Sequence, residues 1–223
     1  RHMPVMLPDK LADLMPLYDV RKLEADRMGG LQCIWISVTP KDNLRYGRKF
    51  CAELVSGLPL RAQVFNESLQ VIESFGFSEL TLGGNFSRDQ VTSRYEAIAQ
   101  SKKWRVDRSA LNAMEQAADT GWTVTNLPVG FRKAMEVKRT IAGRPLAMPH
   151  LVYSDGMAAI SVFIEPKVRE LPAKPLISQG AVHIYKRALG EHVVTVLGEA
   201  PAATVMQIAN SMEPRNIATV APR

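Results

Sequence analysis

Hydrophobic positions are densest between Met148 and Pro166, where two β-rich runs flank Asp155-Gly156. An Asp-Gly pair supplies the positive φ values of a two-residue type I′ turn, so the pattern predicts a hairpin in which Tyr153 faces Ala158 and Leu151 faces Ile160. That register puts Leu151, Tyr153, Ala158, Ile160, Val162 and Ile164 on one face, and Val152, Met157 and Phe163 on the other. Both faces are largely apolar, which fits a strand pair covered on both sides better than a surface ribbon.

Earlier in the chain, apolar residues at Leu7, Leu11, Leu14 and Met15 predict a short amphipathic helix that Pro16 closes. From Tyr18 the period changes to that of strands. Runs at 18–27, 31–39, 45–55, 59–65 and 69–82 are separated by Met28-Gly29-Gly30, Pro40 to Leu44, Ser56-Gly57 and Asn66-Glu67, all turn chemistry, and predict an antiparallel meander. With a five-residue loop at 40–44, Ile34, Ile36, Val38, Tyr46, Phe50 and Leu54 share a face, and Cys33 stands opposite Cys51. Centring the last turn on Asn66-Glu67 aligns Leu60, Ala62, Val64, Leu69, Val71, Phe75 and Phe77.

Between Phe86 and Thr120 the strand signal stops and charge rises. Ser87-Arg88-Asp89-Gln90 is a capping-box pattern opening a helix to about Ala99, and a second helix is expected over Ser109–Ala118. Lys102-Lys103-Trp104-Arg105, with Arg108, reads as a solvated linker ahead of a phosphate grip. Beyond Gly121, a strand holding Trp122 and Val124 leads to a turn at Leu127–Phe131 and a strand alternating basic with apolar residues over Arg132–Thr140. After the hairpin, Lys167–Gln179 reads as an exposed loop, Ala181–Leu189 and His192–Leu197 as a hairpin about Gly190-Glu191, and Pro201–Met212 as an amphipathic helix ended by Pro214. The divisions are 1–85, 86–120, 121–215 and a loose tail at 216–223. The fold class is α+β.

With 223 residues, 46% hydrophobic and 22% charged, the chain can bury one good core or two small ones. It lacks the apolar run of roughly 18 residues that crosses a membrane. It also lacks a signal peptide, and Arg1-His2-Met3 has the look of a vector remnant. A net charge of +6 points to anionic partners: nucleic acid, phosphorylated lipid or an acidic peptide. No enzyme constellation emerges. Ser154 lies in Tyr-Ser-Asp-Gly rather than a nucleophile elbow, and Gly83-Gly84 lacks the lysine and serine of a phosphate loop. The four histidines, His2, His150, His183 and His192, have no metal-ligand spacing, so neither metal nor cofactor is expected.

Leu151-Val-Tyr-Ser-Asp-Gly-Met157 followed by Ile160-Ser-Val-Phe-Ile-Glu-Pro166 resembles the C-terminal domain of the RseB/MucB family, regulators of an envelope-stress sigma factor. Trp122 with Leu127-Pro-Val-Gly-Phe131 is similar to that domain's opening, and Val194-Thr-Val-Leu-Gly-Glu-Ala-Pro201 to its last strand entering its helix. Tyr18-Asp19, Val38-Thr-Pro-Lys-Asp42, Arg45-Tyr-Gly47 and Gly57-Leu-Pro-Leu60 resemble the second half of the family's large domain; its earlier strands have no counterpart here.

The resemblance implies a partial half-barrel similar to periplasmic lipoprotein carriers, followed by a small antiparallel sheet with a helix. It implies a periplasmic regulator that holds an anti-sigma factor's periplasmic segment and shields it from proteolysis, with lipid or lipopolysaccharide as the release signal. A lipid or lipoprotein carrier is the alternative, and a nucleic-acid binder stands well behind both. In an extracytoplasmic protein, facing cysteines predict a Cys33–Cys51 disulfide. The anti-sigma segment is expected on Trp122, Phe131, Arg132, Lys133, Lys138, Arg139 and Arg144, where alternation would turn Met135, Val137 and Ile141 inward and the cations outward. Ile36, Tyr46, Phe50, Val64, Val71 and Phe75 form an apolar face expected to take lipid, the linker helices or a second copy of the chain.

Overall fold

A computed structural model describes residues 11–85, 87–89, 92, 98, 100, 116–139, 147–168 and 170–215. The expected meander forms: β1 (Tyr18–Met28), β2 (Leu31–Pro40), β3 (Gly47–Glu53), β4 (Pro59–Phe65) and β5 (Val71–Gly76) pair antiparallel in chain order. A second antiparallel sheet holds β6 (Gln116–Ala117), β8 (Arg132–Arg139), β9 (Met148–Ser154), β10 (Ala159–Pro166), β11 (Leu176–Gln179), β12 (Val182–Leu189) and β13 (His192–Gly198). Its order is β11-β12-β13-β10-β9-β8-β6, and β7 (Trp122–Val124) pairs apart with β14 (Met212–Pro214). Neither sheet closes into a barrel among the described residues.

The central hairpin keeps its faces but not its register. Tyr153 stands opposite Ile160 and Leu151 opposite Val162, two positions from the expected pairing. The cause is Asp155, whose Oδ1 accepts the N–H groups of Met157 at 2.9 Å and Ala158 at 2.8 Å, drawing the turn out over residues 155–158. A shift of two preserves side-chain parity, so Leu151, Tyr153, Ala158, Ile160, Val162 and Ile164 all lie in one buried core, with Phe131, Val194 and Val196. The helix Ala202–Asn210, entered from Pro201, lays Val205, Ile208 and Ala209 against that core. The other face is covered too: Val137, Met148, His150 and Val193 are buried, and His150 stacks on Phe163 with ring centroids 4.1 Å apart.

In the first sheet, Cys33 stands opposite Glu53 and Trp35 opposite Cys51, again two positions off because β3 begins only at Gly47. The cysteines are therefore diagonal neighbours, yet they are bonded, with Cα atoms 5.4 Å apart, well within disulfide reach. They pack with Trp35 and Leu60, on the face opposite Val38 and Phe50. The last hairpin departs further. Asn66 Oδ1 accepts the N–H groups of Ser68 and Gln70, the turn lengthens, and Val64 meets Glu73 while Ala62 meets Phe75. A bulge beside Cys51 turns Leu60 toward the disulfide face, so the expected single apolar side breaks up.

Short elements also differ from expectation. Leu176–Gln179 is an edge strand rather than loop, Gln116–Ala117 is strand where a helix was expected to reach Ala118, and the C-terminal helix stops at Asn210 before Met212–Pro214 form a strand. At the start, the described part of the expected helix is a 3-10 turn over Leu11–Asp13. Arg88, Asp89 and Thr92 are helical, in line with the capping box, whereas Lys102–Arg105, Arg108, Ile141, Arg144 and the tail after Arg215 lie outside the described residues.

The disulfide spans a sequence separation of 18 and both cysteines are fully buried. Replacing both with serine should lower the free energy of unfolding by about 3 kcal/mol through loop-closure entropy alone. Urea denaturation of the variant and parent, with and without reductant, measures this.

Candidate functional site

The two sheets meet across a buried ion pair. Arg45, in the loop between β2 and β3, places a guanidinium nitrogen 3.2 Å from Asp155 Oδ2, and both side chains are wholly shielded from solvent. A second nitrogen donates to the Val129 carbonyl at 2.5 Å, and Nε lies 3.2 Å from Asp42. The cation also sits over the rings of Tyr18, at 5.7 Å, and Phe131, at 5.3 Å. Tyr18 donates its hydroxyl proton to Asp155 Oδ2 at 2.7 Å; burial, then the Asp155 charge, pushes the phenol far up, which keeps it a donor. Asp155 thus serves both sheets: Oδ1 holds its own turn and Oδ2 holds Arg45 and Tyr18.

Smaller contacts surround this point. Thr204 Oγ1 donates to the Leu44 carbonyl at 2.5 Å, and Arg48 lies 3.4 Å from Glu199. His183 Nδ1 is 2.9 Å from the Ala200 carbonyl and 3.2 Å from the Tyr46 hydroxyl. Met157 enters the cluster of Leu14, Tyr18, Val38, Phe50 and Ala62, and Ala181 that of Tyr46 and Val64. Gly130, at φ +85°, packs against Leu17; any Cβ there would come within 2.4 Å of a Leu17 methyl.

These contacts relocate the apolar face expected to take lipid. Tyr46, Phe50 and Val64 are buried among neighbours in and around the first sheet and against Met157 and Ala181 from turns of the second, and Ile36 is half-buried. Phe75, still 38% exposed, packs edge-on against Phe77. Val71 belongs to the opposite face. There it lines a groove of about 410 Å³ with Asp19, Arg21, Leu23, Ser37, Thr39, Lys49, Gln63, Phe65 and Leu69. Arg21, Ser37, Lys49 and Gln63 face one another across β1 to β4, a polar row beside the apolar end formed by Phe65, Leu69 and Val71.

On β8, Arg132, Lys133 and Lys138 are exposed and Arg139 is half-buried. A bulge at Ala134 interrupts the expected alternation. Lys133, Glu136 and Lys138 stand on the side of Leu151 and Tyr153, while Arg132, Met135, Val137 and Arg139 share the other, so cations occur on both sides. Lys133 pairs with Glu136, whose carboxylate also accepts from Thr120 and lies 3.4 Å from Arg215. Burial works against that charge, but Lys133 and Thr120 outweigh it and hold the Glu136 carboxyl down at about 2. Trp122 is half-buried, edge-on to His192 at 5.2 Å, and Phe131 is core. Since β6 reaches only Val137 and Lys138, the outer edge of β8 from Arg132 to Met135 has no strand partner among the described residues.

Arg45 and Asp155 were missed as a pair by sequence reasoning, which read Arg45 as the first residue of a strand and Asp155 as a turn residue. The only local signal was a charge set inside the most apolar hairpin of the chain.

Family models for the MucB/RseB N-terminal and C-terminal domains match residues 1–95 and 116–213. The chain is 30% identical over 207 residues to the sigma factor AlgU regulatory protein MucB of Pseudomonas aeruginosa, covering 91% of this chain and 63% of that protein. It therefore spans less than two thirds of that relative's length. Among solved structures, MucB in complex with MucA(peri) superposes with a TM-score of 0.72 at 27% identity, over 93% of this chain and 71% of that one. MucB alone gives 0.62 at 26% identity, over 92% and 66%.

Removing the Asp155 carboxylate leaves Arg45 buried without its counter-charge. Asp155→Ala should cost about 3–5 kcal/mol, the usual penalty for breaking a buried pair from one side. Chemical denaturation at pH 7 checks the figure.

Proposed function

The chain belongs to the MucB/RseB family, and on that premise we propose that it is a periplasmic negative regulator of an envelope-stress sigma factor, holding the periplasmic segment of a MucA-like anti-sigma factor and shielding it from proteolysis. The observation that carries the reading is the resemblance of the two-sheet arrangement, over most of the chain, to MucB with MucA(peri) in place. The buried disulfide supports an oxidising compartment. The role in this reading is binding, as the similarity to regulatory proteins supports, and Tyr18 and Glu136 serve structural contacts.

The partner surface in this reading runs from Trp122 and Leu127–Phe131 along β8. Among the described residues Arg132 and Lys138 are its exposed cations without an ion pair, suited to steering an acidic segment, and the edge over Arg132–Met135, which has no strand partner among those residues, offers backbone groups to an extended one. Lys133 is already committed to Glu136 and contributes less. The first sheet is read as the later half of a lipoprotein-carrier-like half-barrel, with lipid as the release signal.

Carriage of lipid or lipoprotein is a second reading, favoured by the groove in which Arg21 and Lys49 lie beside Phe65, Leu69 and Val71. The two readings separate by what each surface binds: a peptide on β8, an amphiphile in the groove.

Replacing Arg132 and Lys138 with glutamine should weaken binding of MucA(peri) about tenfold at low salt and flatten its salt dependence, mainly through the association rate. Lys133→Gln should do less. Titration at several ionic strengths reads both, and unchanged affinity and slope in the double variant would remove β8 from the site.

A further inference from the structure

We infer that Arg45 is a positioning residue: by closing on Asp155, Tyr18 and Val129 it holds the two sheets in the orientation that presents β8 to its partner. This rests on the proposed regulatory reading for the identity of the partner, but not for the orientation itself.

Contiguity carries the first part. Val129, whose carbonyl Arg45 grips, and Phe131, whose ring lies beneath it, immediately precede Arg132 at the start of β8. Asp155 follows Ser154, which is the cross-strand neighbour of Arg132. The first sheet therefore contacts the candidate surface through covalent neighbours of its leading cation.

Electrostatics carries the second part. Arg45 comes from one sheet and Asp155 from the other, and neither charge touches solvent. Separated, each must regain water, because a buried charge without its partner is strongly unfavourable. Partial opening is thus the worst arrangement, and the junction favours two positions, closed and hydrated-open, over a continuum. Other contacts across the junction, Thr204 to Leu44, Arg48 to Glu199 and His183 to Tyr46, include half-exposed groups and define the orientation less sharply.

The test labels Glu24→Cys on β1 and Glu191→Cys in the β12–β13 turn with nitroxides and reads the distance between sheets by pulsed electron paramagnetic resonance. The parent should give one narrow distribution, and Arg45→Gln and Asp155→Asn each a broadened or two-peaked one. Should Arg45→Gln fail to fold, Arg45→Lys, which keeps the charge but cannot fork between Asp155 and Val129, should broaden it too. In parallel, MucA(peri) should bind Arg45→Gln about tenfold more weakly, as it would if only about a tenth of the molecules remained closed. A Leu44→Cys/Thr204→Cys staple, placed where Thr204 already bonds to Leu44, should restore that affinity when oxidised. An unchanged narrow distribution in both Arg45→Gln and Asp155→Asn overturns the clamp. Weakened binding that the staple does not restore overturns its role in presentation. If the parent itself does not bind MucA(peri), the regulatory reading fails while the distance measurement still decides whether Arg45 sets the orientation.

Discussion

Burying a guanidinium between two sheets constrains everything near it. Arg45 is 1% exposed, and its compensation comes from residues far apart in the chain: Asp42 beside it, Tyr18 at the start of β1, Val129 and Phe131 ahead of β8, and Asp155 in the central hairpin. All must be in place for the charge to be tolerated. The turn at Asp155 is drawn out over residues 155–158 because one carboxylate oxygen ties down the turn's backbone while the other faces the first sheet. Gly130 has no side chain because Leu17 occupies the space. Local geometry on both sides of the junction follows from one charge.

The apolar face of the first sheet gains a different meaning from the same junction. Taken alone, a five-stranded meander exposes a hydrophobic side that needs cover. Its centre, Phe50 and Val64, is covered by Met157 and Ala181 of the second unit, so the apolar surface left accessible lies at the rim and in the opposite groove. Two surfaces of different chemistry result: an amphiphile-sized groove with cations at one end, and a basic strand edge next to the junction.

Most of this fold was legible in the sequence wherever side-chain parity decided the outcome. The pairing of β2 with β3, the central hairpin's core face and the disulfide all survived register errors of two residues, because a shift of two leaves every side chain on its own face. The errors arose where side chains captured turn backbone, at Asp155 and Asn66, and where a bulge swapped faces, at Leu60 and Ala134. The strands Leu176–Gln179 and Met212–Pro214 were invisible because they exist through pairing with β12 and β7 rather than through any pattern of their own. The junction was hidden for a related reason: Arg45 and Asp155 are 110 residues apart, and one looks like the start of a strand and the other like turn chemistry until both sheets are built.

The central claim is that the segment leading from the junction into β8 is where a MucA-like partner docks. Amide hydrogen exchange of the chain with and without MucA(peri) tests it most directly. The account predicts slowed exchange concentrated in Leu127–Arg139, including amides on the edge of β8 that have no strand partner among the described residues. Unchanged exchange throughout that segment, with slowing confined to the groove strands β1 to β4, would contradict it.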